Sequence, residues 1–237
     1  MKIGITLPSF SPDAGAVIAA AQAAEAAGLH GVFLFDHLWP MGDPTRPALS
    51  LYPLAGAVLA RTRRIVVGSL VARIGLLPDE VVLASLSSLA ELAGGRFIAA
   101  IGTGDSSSAD ENERYGIPYP SAQNRRDRLR EVARDLHTAG IETWIGGGAG
   151  ATNEIAGETG ATLNLWGVAP EEVRAASAEA SHVSWAGPLP KDGSAPRVLQ
   201  ALDDAGATWS VWGWPRSLDL VVATAEQADI GLHPASG

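Results

Sequence analysis

Eight short apolar runs, each followed by an alanine-rich amphipathic stretch, set the strongest limit on how this chain folds. The runs cover residues 2–7, 31–35, 65–71, 97–101, 142–145, 162–166, 182–185 and 208–212. Helical stretches follow at 13–27, 48–60, 79–93, 121–139, 152–158, 170–179, 195–205 and 217–228. Continuous apolar runs such as Gly31-Val-Phe-Leu-Phe35 suit strands covered on both faces, and strand-helix alternation is the pattern of parallel βαβ units. Gly28, Gly94, Gly140, Gly160 and Gly206 lie just past five of the helices, where a left-handed cap favours glycine. Right-handed crossovers close eight such units into an α/β (β/α)₈ TIM barrel; a doubly wound open sheet is the alternative. The chain reads as one TIM-barrel domain over residues 1–237, compact, with short connections in its second half.

Composition excludes several classes of function. A net charge of -9 argues against a nucleic-acid surface, since phosphate binding needs a basic face. The absence of cysteine removes disulfides, cysteine-ligated metals and thiol nucleophiles. No metal site is expected. The first run, residues 2–7, is too short and too soon broken by Pro8 for a signal peptide, and no run approaches the ~20 apolar residues of a membrane span. These features point to a cytoplasmic protein acting on a small molecule, with neither nucleic acid nor membrane as partner.

In parallel α/β sheets, ligands gather at the carboxyl ends of strands. The second run ends there in Asp36-His37-Leu38-Trp39-Pro40, an acid, an imidazole and an indole in a loop that the following prolines keep from becoming helix. His37 is either a proton-transfer residue or a histidine hydrogen-bonded in the fold. The fourth run ends in Gly102-Thr103-Gly104-Asp105, where glycines let a flat ligand approach the backbone and Asp105 adds a carboxylate; a plain tight turn is the other reading. Gly146-Gly147-Gly148 before a helix offers consecutive amides to a phosphate, or is a flexible turn. Residues 103–120 are too long for an ordinary connection of about 2–6 residues and suggest a lid. Trp39, Trp166, Trp185, Trp212 and Trp214 fall at or past strand ends; core packing explains some of them, and so many on one rim suggest walls for a planar or apolar ligand. Arg125, Arg126, Arg128, Arg130 and Arg134 interleave with acids at helical pairing distances and read as a solvated helix face.

Together, Asp36-His37-Leu38-Trp39-Pro40, Gly68-Ser69-Leu70-Val71, Gly94-Gly95-Arg96 leading to Ile101-Gly102-Thr103-Gly104-Asp105, and Ile145-Gly146-Gly147-Gly148 resemble the luciferase-like monooxygenase superfamily. The match is closest to its branch using the deazaflavin coenzyme F-420, and it is strongest over residues 1–165. The resemblance implies an oxidoreductase that exchanges a hydride between coenzyme F-420 and a small organic substrate, working as a homodimer. It makes His37 the proton donor or acceptor and places a second carboxylate at Asp105. Asp36 and Trp39 would contact the cofactor, with Gly102, Thr103 and Gly104 beside it. Ser69, Leu70 and Val71 match the segment where relatives carry a non-prolyl cis peptide against the ring, and Gly146, Gly147 and Gly148 would hold the cofactor phosphate. FMN in place of coenzyme F-420, or a flavin-binding barrel without turnover, are the alternatives. Two features depart from the family: the late insertion over the active site is missing, and Lys191 and Arg216 are the only basic residues near the mouth to grip a sugar phosphate.

Overall fold

A computed structural model describes residues 1–40, 42–104, 108–148, 150–215 and 217–234. The elements, in order, are β1 (Lys2–Thr6), α1 (Ala14–Ala26), β2 (Gly31–Leu34), α2 (Leu51–Arg61), β3 (Val66–Ser69), β4 (Ala72–Arg73), α3 (Asp79–Ala93), β5 (Phe97–Gly102), α4 (Ser108–Arg114), α5 (Ala122–Thr138), β6 (Thr143–Gly147), α6 (Gly150–Thr159), β7 (Thr162–Trp166), α7 (Pro170–Glu179), β8 (Val183–Gly187), α8 (Ala195–Asp204), β9 (Ala207–Trp212) and α9 (Leu218–Gln227). Every pairing is parallel, running β3-β2-β1-β9-β8-β7-β6-β5, and a direct β3–β5 pairing closes the ring. The sheet is therefore the (β/α)₈ barrel expected from the alternation, not the open alternative. The third run does not stay one strand: it breaks at a cis Leu70–Val71 peptide, after which β4 pairs with the far end of β5.

Residues alternate along each strand between two packing layers, as the period of two requires. Outward side chains such as Ile3, Ile5, Val32, Leu34, Val67 and Ile145 pack under the helices. Inward ones, Phe33, Leu70, Ile98, Ala100, Trp144, Ala186, Trp209 and Val211, fill the barrel. Large rings inside so narrow a barrel need bare backbone opposite them. A Cβ on Gly68 would sit 2.6 Å from the Phe33 ring, and one on Gly31 would sit 2.8 Å from Trp209. Phe33, Trp144 and Trp209 meet at centroid distances of 5.2–5.7 Å and make a solid floor. Barrel interiors are generally filled by branched aliphatics; here aromatics and glycines share that volume.

The predicted helix-capping glycines at 28, 94, 140, 160 and 206 all take positive φ. At the start of β3, the Glu25 carboxylate on α1 accepts the amides of Arg63, Arg64 and Ile65 at 2.9, 2.6 and 2.9 Å. Among the described residues, no helix is long and apolar enough to cross a membrane.

The floor gives a direct test. Gly68→Ala should destabilise the protein by about 1–3 kcal/mol through overpacking against Phe33. Combining it with Phe33→Leu should cost less than the two single changes added together, as read from urea unfolding.

Candidate active site

Above the aromatic floor, at the carboxyl ends of the strands, lies a cavity of about 350 Å³. Asp36 and His37 reach it from the end of β2, Leu70, Val71 and Arg73 from the β3–β4 break, and Gly102, Thr103 and Gly104 from β5. Ser108 of α4, Gly146 and Gly147 of β6, and Asn164 and Trp166 of β7 complete the far wall with Phe35. One side is aromatic: Phe10 stacks on Phe35 at 5.4 Å, and Phe35 meets Trp166 edge-on at 6.1 Å. A second cavity, of about 380 Å³, opens at the amino-terminal ends of the strands beside Lys2, Glu142 and His182. Barrels of this kind do their chemistry at the opposite end.

The long fourth connection carries α4, and α4 delivers the residue that organises the site. Glu111, 2% exposed, accepts from the His37 ring at 3.1 Å between Nδ1 and Oε2 and from the Leu38 amide through Oε1, while Arg73 Nη1 lies 2.7 Å from Oε2. Burial alone would raise the pKa of this carboxyl. The hydrogen bonds from His37 and Leu38, with the Arg73 charge, outweigh burial and hold it below its ordinary value. An ionised Glu111 can only accept, so the hydrogen between it and His37 belongs to Nδ1.

Asp36 accepts the Arg73 backbone amide at 2.9 Å. Burial, opposed by that hydrogen bond and by the Arg73 and His37 charges, pushes its pKa up to about 6. The buried hydroxyl of Tyr52 on α2 has no hydrogen-bond partner among the described residues, and burial together with the nearby Asp36 charge raises its pKa further above its ordinary value.

The structure sorts the residues expected from the sequence. Asp36, His37, Leu70, Val71, Gly102, Thr103, Gly104, Gly146 and Gly147 line one cavity. Ser69 lies beneath it, fully buried, with its hydroxyl donated to the Ala100 carbonyl at 2.6 Å. Gly148 lies just outside the wall, and Asp105 and Arg216 fall outside the described residues. Several glycines have a packing reason. A Cβ on Gly102 or Gly146 would come within 2.6 or 2.9 Å of the Val71 side chain, and one on Gly147 within 2.7 Å of Leu163. Val71 occupies the space that Gly102 and Gly146 leave.

The tryptophan wall is largely corrected. Trp166 lines the cavity, but Trp185 and Trp212 are buried against each other at 5.0 Å in the layer under the helices. Trp39 packs on Tyr115 of the α4 segment at 5.5 Å, and Trp214 is exposed away from the cavity lining. The arginine face is corrected at Arg125 and Arg128, while Arg130 keeps the expected helical pair with Asp127 at 3.0 Å and Arg134 is exposed. Arg125 donates to the carbonyls of Thr103 and Pro120 at 3.1 and 2.6 Å, clasping both ends of the α4 segment, and its guanidinium lies over Tyr119. Arg128 makes a two-pronged bond to Asp79 at 2.7 and 2.6 Å.

Glu111 and Arg73 were missed. Glu111 is one of three acids at positions 110, 111 and 113, and nothing local distinguishes it from its neighbours. Arg73 did leave a signal: it is the lone charge in the apolar stretch from Gly68 to Leu77.

The raised pKa of Asp36 has a thermodynamic consequence. Its native carboxyl binds a proton more readily than the unfolded one, so its ionisation destabilises the fold as pH rises from the ordinary 3.8 through about 6. Asp36→Asn, which keeps an acceptor for the Arg73 amide, should therefore be more stable than the wild type above about pH 6. We expect about 1–2 kcal/mol, less than the full shift converts to, because the carboxylate faces the cavity and its solvent. Thermal melts from pH 3.5 to 8 should show the advantage shrinking on acidification and vanishing near the ordinary carboxyl pKa.

Comparison with known proteins agrees with this architecture. The F420-dependent glucose-6-phosphate dehydrogenase of Nakamurella multipartita is 33% identical over 128 residues, which are 53% of this chain and 35% of the relative. The enzyme of the same name from Microbacterium testaceum is 32% identical over 124 residues, 52% of this chain and 35% of the relative. The chain thus matches about a third of the length of these curated relatives. An F420-dependent secondary alcohol dehydrogenase solved with an F420-acetone adduct superposes with a TM-score of 0.78 at 13% identity, covering 96% of this chain and 97% of that one. The EDTA monooxygenase of Chelativorans sp. BNC1 superposes with a TM-score of 0.75 at 14% identity, over 100% of this chain and 95% of that one. At such identities these two likenesses concern the fold. The luciferase-like monooxygenase family model matches residues 1–139, more than half of the sequence, and the chain belongs to that family.

Proposed function

We propose that this protein is an oxidoreductase that uses coenzyme F-420 to move a hydride to or from a small organic substrate, with His37 handling the proton. The observation that carries the proposal is the His37–Glu111 pair at the edge of a cavity with an aromatic wall. The names of the curated relatives support the choice of cofactor.

The cavity suits a flat heterocycle. Phe35, Trp166 and Val71 offer apolar faces, while Asp36, Arg73 and Asn164 offer polar groups for ring edges. The backbone from Gly146 to Gly148 and the start of α6 would take the phosphate. When bound, the deazaflavin would supply or accept the hydride, and the protein would supply the proton in reduction or take it up in oxidation. Glu111 holds the hydrogen on Nδ1 of His37, which leaves Nε2 as the nitrogen that takes a hydroxyl proton during oxidation and returns it during reduction. Glu111 also keeps the ring from turning, as a buried carboxylate beside an imidazole does.

Titrating the purified protein with coenzyme F-420 and with FMN, read by tryptophan fluorescence, tests the cofactor. Tighter deazaflavin binding is expected; tighter FMN binding would move the protein to flavin chemistry. His37→Asn should keep the fold and the cofactor affinity while lowering turnover about 10²–10⁴-fold. A panel of small alcohols and activated enones supplies the substrate, and an unchanged rate in the variant would remove His37 from the mechanism.

The phosphate site is best probed at Gly150, where an added side chain meets nothing within 4 Å. Gly150→Asp places a carboxylate in the first turn of α6, which favours the helix but repels a phosphate. Cofactor affinity should fall about 5–10-fold for a loss of roughly 1 kcal/mol, and recover in high salt. Gly150→Ala should leave it unchanged.

A further inference from the structure

The cavity wall contains a cation whose donors are not used. Arg73 is 4% exposed, yet none of its three guanidinium nitrogens makes a directed hydrogen bond among the described residues. Nη1 sits 2.7 Å from Glu111 Oε2, close enough for an ion pair, but without the angle that a hydrogen bond needs. Glu111 is already engaged: Oε2 meets the His37 ring and Oε1 the Leu38 amide. Asp36, the described carboxylate that lines the cavity, bonds the Arg73 backbone amide instead of its side chain.

The arginine is held in place. The Ile74 amide donates to the Gly102 carbonyl at 2.9 Å, fixing the backbone just after Arg73. Its Cδ lies 2.9 Å from where a Cβ on Gly104 would stand, so the stem fills space that only a glycine leaves open. A guanidinium presents five donors in a rigid fork that matches a planar pair of acceptors. Burying it with those donors unmet is costly, and the cost is recovered when a ligand brings the acceptors.

We propose that Arg73 is the oxyanion-recognition residue of this cavity. It receives a planar group with two adjacent acceptor atoms that carries, or gains, negative charge. Two molecules could bring that group. One is a substrate carboxylate. The other is the N–C=O edge of the deazaflavin's pyrimidine ring, which becomes electron-rich when the cofactor is reduced. The second source rests on the proposed cofactor, while the first is independent of it.

Binding measurements on the wild type separate the sources without any turnover. One arm compares benzoate with its neutral isostere benzamide on the cofactor-free protein; the other compares reduced with oxidised coenzyme F-420. At least one charged or electron-rich partner should bind about tenfold more tightly than its counterpart, roughly the contribution of one charge-assisted contact. Arg73→Gln should abolish that preference and Arg73→Lys should keep part of it. Preference for benzoate assigns the site to a substrate carboxylate, and preference for the reduced cofactor assigns it to the ring edge. Equal binding within both pairs in the wild type, or a preference that survives in a folded Arg73→Gln protein, overturns the proposal. If coenzyme F-420 fails to bind in either redox state, the proposed function falls, while the benzoate arm still decides the role of Arg73.

Discussion

The Glu111 carboxylate joins three parts of the chain that the barrel alone would leave separate. Its two oxygens meet the loop after β2 through His37 and Leu38 and the β3–β4 break through Arg73, while its backbone belongs to α4. A carboxylate buried to 2% exposure survives as an anion only where donors and a cation surround it, and the same contacts that stabilise its charge fix the His37 ring. The α4 segment is accordingly a structural part of the site wall. Arg125 closes it at both ends, and Trp39 on Tyr115 ties its far end back to the β2 loop.

Below this network, the aromatic plug closes the barrel interior. Phe33, Trp144 and Trp209 fill the barrel interior so completely that glycine is required at positions 31 and 68. With the interior closed, the cavity is confined to the carboxyl rim. There Val71 projects between Gly102 and Gly146 and gives the cavity an apolar bump at its base. Gly102 and Gly146, expected from the sequence beside a ligand, line the cavity and also make room for the side chain that shapes it.

Most of the architecture was legible in the chain itself. All eight runs became barrel strands and all eight amphipathic stretches became helices, because strand and helix periods and glycine caps are local signals. The site was legible only in part. His37 and Asp36 stood out because a strand end in a parallel sheet is a known location for chemistry, whatever else surrounds it. The tryptophans were misplaced for the opposite reason: Trp185 and Trp212 sit at strand ends too, but their register turns them outward beneath the helices. Arg125 and Arg128 looked like surface charge because helical spacing cannot tell whether a neighbouring element lies within reach.

By itself the sequence determined the barrel, the rim on which a site would form, and the histidine at its edge, since each follows from short-range periodicity and turn chemistry. Tertiary structure alone decided which carboxylate meets that histidine. Glu111 lies 74 residues away in a segment with acids at 110, 111 and 113, and only closure of the α4 segment over the barrel selects one of them. It likewise decided that Arg73 would be buried with its donors unmet among the described residues, because burial and hydrogen-bond satisfaction belong to surfaces that exist only after the chain has folded.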